Sequence, residues 1–158
     1  MPPESWIGFF EWCEATYLGT MVRESIWLFP IIEAVHLMAL CLMGGAILLV
    51  DLRLLGVGLT AQRPSQLSRH VRPWLLAGLA VMLATGVLLF LSEAIKCFYN
   101  QSFWVKMTTL PIAIAFTFAV RNRRLEGLET SVRSRLLGAA SIALWFTVAA
   151  AGRWIGYS

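Results

Sequence analysis

The sequence predicts an all-α integral membrane protein: a four-helix bundle with an N-terminal interfacial amphipathic helix. Three observations predict it. First, four apolar runs at 26–50, 74–92, 104–120 and 136–152 take up about half of the chain. A helix needs roughly 20 apolar residues, at about 1.5 Å each, to cross the hydrocarbon core of a bilayer. Second, 58% of the 158 residues are hydrophobic and only 14% are charged, far more apolar surface than a soluble chain of this size needs. No ten-residue alternating strands appear, which argues against a transmembrane β-barrel. Third, the basic residues are sorted. Arg53, Arg63, Arg69 and Arg72 fall in 51–73; Arg121, Arg123, Arg124, Arg133 and Arg135 fall in 121–135.

Nine of the 13 Lys/Arg thus occupy two loops on one face, while the N-terminal segment carries Glu4, Glu11, Glu14 and Glu24. The positive-inside rule then places both loops in the cytoplasm and both termini outside a bacterial inner (plasma) membrane. The net charge of +4 is this topological signal, and no nucleic-acid partner is expected. The partner expected throughout is the lipid bilayer.

Residues 1–158 form one membrane domain in this reading. The stretch Pro2 to Thr20 interleaves Trp6, Phe9, Phe10, Trp12 and Tyr17 with acids, as an amphipathic helix in the outer interface does. No basic n-region or small-residue cleavage site accompanies the first apolar run, so a span rather than a cleaved leader is expected. That helix starts near Ser25, tolerates Pro30 in its first turns and ends at Asp51-Leu52-Arg53, where charge meets the cytoplasmic interface. Gly44 and Gly45 would admit a close neighbour.

Leu59 to Arg72 reads as a loop or short surface helix, with the second span starting after Pro73 and carrying Gly78 and Gly86 as packing points. An outer loop, Glu93 to Ser102, leads to the third span, which Pro111 is expected to bend. The loop 121–135 is expected to be partly helical. The fourth span is rich in Gly, Ala and Ser, which favours tight packing and leaves a homo-oligomer or a partner membrane subunit open. Cys13 and Cys97 fall outside, where a disulfide is permitted; Cys41 lies within the first span as a small core residue.

Ionisable groups at membrane depth are costly and usually functional. His36 lies nine residues inside Trp27, so about 14 Å below the outer interface. Glu33 is on the same face one turn shallower, and Met43 lies on that face seven residues deeper. Glu93, Lys106 and Arg153 end or open their helices on the same outer side, and the inner half has no equivalent set. Three chemistries fit. In the first, His36 is the axial ligand of a b-type haem, Glu33 orients the imidazole, and Lys106 and Arg153 hold the propionates. In the second, copper binds His36 with soft donors such as Met38, Cys41 and Met43, although these do not all share one face. In the third, Glu33 and His36 relay protons. Beside these stands a packing role, in which Glu33 and His36 bond each other and a neighbouring helix. Trp145 reads as core, and no hydrolase, nucleotide or zinc signature is present.

The stretch Glu24-Ser25-Ile26-Trp27-Leu28-Phe29-Pro30-Ile31-Ile32-Glu33-Ala34-Val35-His36, together with Asp51-Leu52-Arg53-Leu54-Leu55-Gly56, carries a resemblance. So do Gly86-Val87-Leu88-Leu89-Phe90, Phe103-Trp104-Val105-Lys106-Met107 and Gly152-Arg153-Trp154-Ile155-Gly156-Tyr157. These are similar to a family of small four-helix bacterial inner-membrane proteins of unknown function. More distantly, His36 and the pair Trp104/Lys106 resemble positions in haem-binding membrane protoporphyrinogen oxidases and CopD-type copper-resistance membrane proteins. The likeness implies haem or copper ahead of a proton path. The leading expectation is a b-type haem-binding or redox-associated membrane protein. A copper-handling protein and a non-catalytic membrane subunit or scaffold are the alternatives.

Overall fold

Apolar segments in lipid must bond every backbone amide internally, and all four runs are helical in the computed structural model. The structure describes residues 3–58, 61–121 and 131–157. A 3-10 turn, Glu4–Trp6, leads into α1 (Ile7–Glu14) and α2 (Tyr17–Glu24). The long helices are α3 (Leu28–Leu55), α4 (Pro64–Ser92), α6 (Gln101–Ala115, continued by a π-helical turn Phe116–Arg121) and α7 (Val132–Ile155). A short α5 (Ala94–Tyr99) joins α4 to α6. The four long segments are each apolar and long enough to cross a membrane.

Several boundaries differ from the sequence expectation. The N-terminal amphipathic segment is two helices, not one. Thr16 makes the break: its backbone is extended, its hydroxyl donates to the Cys13 carbonyl at 2.7 Å, and it accepts the Gly19 N–H at 3.3 Å. One face packs on the bundle through Phe10, Cys13 and Val22, and the other leaves Trp6, Phe9, Trp12 and Tyr17 exposed. The second span begins ten residues earlier than expected, because the helix runs from Pro64 straight through Pro73. Pro64 sits in the first turn, where no N–H is needed; Pro73 forgoes one helix hydrogen bond without ending the helix. Glu93–Ser102 is not a plain loop but contains α5. Helix α6 continues through Pro111 and widens only at Phe116. Of the loop 121–135, expected to be partly helical, 132–135 opens α7, while 122–130 lies outside the described residues.

Helix ends follow local chemistry. Gly56, at φ 80°, closes α3, with Gly56 and Val57 N–H groups bonding back to Arg53 and Leu52. Ser131 and Ser134 form a reciprocal cap on α7.

The packing is an arc, α4–α3–α7–α6: α3 packs on α4 and on α7, and α6 packs on α7, while α4 and α6 have no extensive packing and meet through the Phe90–Phe103 ring stack. Two glycines set the approaches. A Cβ on Gly78 would stand 2.9 Å from the Met43 Cβ and 3.2 Å from the Ala39 carbonyl oxygen, and one on Gly138 would stand 2.9 Å from the Asp51 carbonyl oxygen. Gly44 and Gly45, expected to receive a neighbour, have none within 4 Å.

The shared core, Met43, Ala46, Ile47, Leu75, Ala113, Trp145 and Val148, holds the helix pairs together toward the arginine-rich end. At the termini end a second cluster, with Phe10, Cys13, Cys97, Phe98 and Phe103, closes over the bundle. Between the two the pairs α3/α4 and α6/α7 part.

Candidate functional site

A cavity of about 400 Å³ occupies that parting. Its walls are apolar and aromatic, from Phe29, Leu79, Met82, Phe90, Phe103, Leu110 and Trp145, and its polar members are Glu33, His36, Glu93, Lys106 and Arg153. The long helices therefore bring together the whole set expected from the sequence, with Met43 in the same wall.

His36 is half-buried and lies against α4. Its Nδ1 is 2.7 Å from Thr85 Oγ1, and that same oxygen is 2.6 Å from the Val81 carbonyl oxygen. A hydroxyl carries one hydrogen and a carbonyl carries none, so the 2.6 Å contact uses the Thr85 hydrogen. Thr85 is then an acceptor toward the ring, and His36 donates from Nδ1–H. The neutral imidazole keeps its lone pair on Nε2, which bonds no described residue. Gly86 makes room: a Cβ there would meet His36 Cε1 at 3.3 Å.

This arrangement corrects the expected role of Glu33. The carboxylate does not hydrogen-bond the imidazole; Thr85, from another helix, orients it. Glu33 is half-buried in the cavity wall, one turn away. Lys106 is half-buried, lies over Gly152 with Nζ 3.4 Å from where a Cβ would stand, and forms no salt bridge with a described residue. Arg153 is more exposed. Its Nη2 donates to the Tyr157 hydroxyl at 2.6 Å and its guanidinium covers that ring at 4.6 Å, a cation–π arrangement. Glu93 pairs with Lys96 at 3.8 Å.

Met43 is 2% exposed, part of the core as well as of the cavity wall. Met38 is 71% exposed and Cys41 is exposed too, both facing outward from the bundle rather than into this cavity. The sulfur donors that do line it are Met43, Met82, Met107 and Cys97. Among the described residues, no three His, Cys, Asp or Glu side chains stand together as a metal site. Trp145 donates from Nε1 to Thr117 Oγ1 at 2.9 Å, which fixes it as core.

Cys13 and Cys97 are both free and buried in the same aromatic cluster, so the disulfide considered from the sequence is not formed. Burial pushes the Cys97 thiol up to about 11, with the nearby Glu93 carboxylate acting in the same direction. Burial raises the Cys13 thiol as well.

Sequence reasoning missed a second polar set. Asp51 and Arg121 are fully buried, with Arg121 Nη1 donating to Asp51 Oδ1 at 2.7 Å and lying 3.4 Å from Ser141 Oγ. The expectation that the inner half holds no set of ionisable groups is corrected by this pair, and Asp51, at the end of its apolar run, is buried in the protein rather than exposed. The charges sit at the ends of their apolar runs, where snorkelling is the usual expectation. Their signal was depth: the first and third spans of an alternating bundle run the same way, so the last turn of α3 and the last turn of the α6 segment fall in one layer. The pair ties three helices, α3, α6 and α7, below the cavity. Thr85 was missed for a related reason, being 49 residues from His36.

The chain belongs to a family of unknown function (DUF6644), whose family model matches residues 9–158. No curated protein and no solved structure matches it.

Proposed function

We propose that this membrane protein binds a b-type haem, or a closely related redox group, in the cavity between its helix pairs, with His36 Nε2 as the axial ligand. The observation that carries the reading is the Thr85 hydrogen bond. It holds the imidazole in the tautomer that leaves Nε2 with a lone pair, the form a metal requires, as outer partners of ligating histidines commonly do. The rest of the cavity fits the group. Its volume lies within the range of cofactor sites, roughly 300–1,000 Å³. Its walls are apolar and aromatic, and Lys106 and Arg153 supply positive charge for two propionates. Such a group would supply one-electron chemistry; the chain orients it, excludes water and balances its charge. The arginine distribution supports an orientation with the cavity in the periplasmic half of a bacterial inner membrane.

Copper is the second reading, and one observation favours it. Met43, Met82, Met107 and Cys97 share the cavity with His36, a soft donor set suited to Cu(I). Met38 and Cys41 have no part in it.

The test is a reduced-minus-oxidised absorption spectrum of protein purified in mild detergent from haem- and copper-supplied cells, with metal analysis on the same sample. A b-type spectrum lost in His36→Ala supports haem, and copper without a spectrum moves the assignment to the second reading. Neither, in a folded protein, leaves His36 and Thr85 as a helix-packing pair in a non-catalytic subunit and refutes both.

A further inference from the structure

The cavity lies between two helix pairs that meet near the arginine-rich end and are bridged again at the termini end. At that second bridge the seal is aromatic. Phe90 of α4 stacks on Phe103 of α6 at 5.6 Å and 11°. Phe10 of α1 caps both, at 5.6 Å from Phe90 and 6.2 Å from Phe103. The stack fixes the register of two antiparallel helices. One turn deeper, α4 presents Val87 and α6 presents Met107. Both line the cavity, and both are open on their other side, at 56% and 48% exposure. A residue that bounds a cavity and also faces outward is its rim. Below the Phe90–Phe103 stack, α4 and α6 pack on their other neighbours rather than extensively on each other, so the rim belongs to a lateral gap on the apolar α4–α6 side of the bundle.

We propose that the cavity is loaded from the bilayer through this α4–α6 gap, and that its ligand is a lipid-soluble amphiphile with an acidic head. The apolar body passes between Val87 and Met107. The acidic group ends at Lys106, a half-buried ammonium with no salt bridge to a described residue and one position from the rim. Arg153 adds a second positive charge in the same wall. Of the two carboxylates there, Glu93 is paired with Lys96, and Glu33 stands on α3, across the cavity from the gap. Haem is one member of this class, so the inference deepens the reading above but does not need haem to be the occupant.

The experiment has two arms on the full chain in phosphatidylcholine vesicles, in a Cys41→Ser background that removes the exposed thiol. The first arm uses no ligand. Leu110→Cys, on the α6 wall of the cavity, and Ile112→Cys, on the lipid face of α6, are labelled with bimane and exposed to brominated phosphatidylcholine. Quenching at Leu110 comparable to that at Ile112 is expected; near-zero quenching there means that acyl chains do not reach the cavity and overturns the proposal.

In the second arm, Val87→Cys with Met107→Cys is bridged by a reducible bis-thiosulfonate. Haemin uptake from the vesicles is expected to slow about tenfold or more and to recover on reduction, as for other gated sites. An unchanged rate overturns lateral loading. If the unbridged protein takes up no haemin, the haem reading falls by itself. Dansyl-undecanoic acid then serves as the probe, with uptake expected to be blocked by the bridge and weakened by Lys106→Met. Failure of that probe as well overturns the ligand class.

Discussion

Replacing Thr85 by valine removes one hydroxyl and keeps the side chain's volume, which isolates the hydrogen bond that sets the His36 tautomer. In the native protein Nδ1–H donates to Thr85 Oγ1 over 2.7 Å, its one hydrogen-bond partner among the described residues. In Thr85→Val that N–H is left against an apolar wall, at a cost of about 1–3 kcal/mol. The ring avoids the cost by moving its proton to Nε2. At 0.59 kcal/mol per RT, that energy swings the tautomer ratio by roughly five- to 150-fold. Nε2 then points an N–H where a lone pair is needed, and ligand affinity is expected to fall by about 10–100-fold. The chain has two histidines, so His70→Gln leaves a single imidazole for ¹⁵N spectroscopy of histidine-labelled protein. The native form should show a protonated Nδ1 and a lone-pair Nε2, Thr85→Val should reverse them, and Thr85→Ser should retain the native pattern. A native ring protonated at Nε2, or a valine variant with Nδ1 still protonated, would refute the reasoning whatever the cavity binds.

Gly86→Val is expected to push the imidazole off α4, since even a Cβ meets Cε1 at 3.3 Å; the same spectrum should lose the Nδ1–H pattern, and ligand affinity should drop about tenfold or more. Asp51→Ala strands a buried guanidinium and should lower stability by about 3–5 kcal/mol, read as a loss of melting temperature in detergent; the double variant Asp51→Ala/Arg121→Ala should recover part of it. If the double variant is no more stable than the single, the pair is not what holds these helix ends. Cys97 should resist maleimide at pH 8, where a thiol at about 11 is roughly one-thousandth thiolate, and its rate should climb about tenfold per pH unit toward that value. A pH-independent rate would mean that access through the aromatic cluster, not ionisation, limits the reaction.

Much of the candidate site was legible because it lies along single helices. Glu33, His36 and Met43 share a face of α3 by periodicity alone, and Lys106 and Arg153 mark helix ends at one depth. The partners that give them meaning come from elsewhere in the chain. Thr85 reads in sequence as one hydroxyl in an apolar run, and Gly86 as a packing point. Only the α3–α4 contact makes one the acceptor for His36 and the other the space for its ring. Glu33 illustrates the converse. Its three-residue spacing from His36 suggested a bond, but the imidazole turns to the neighbouring helix. Pro73 misled for a local reason: proline usually marks a boundary, and here the helix continues through it.

By itself the sequence determined that there are four helices long and apolar enough to span a membrane, the clustering of basic residues at one end and the placement of ionisable groups within the apolar runs. Those properties follow from the backbone's need to bond internally in lipid and from the cost of charge there, both of which act residue by residue along the chain. Tertiary structure alone decided that the bundle is an arc, open between α4 and α6 below their ring contact, that Asp51 meets Arg121, and that His36 bonds Thr85 through Nδ1 and leaves the Nε2 lone pair unengaged by any described residue. Each depends on which helix faces which across tens of residues. In a bilayer that choice is made by close packing and hydrogen bonding between helices, which apolar periodicity does not encode.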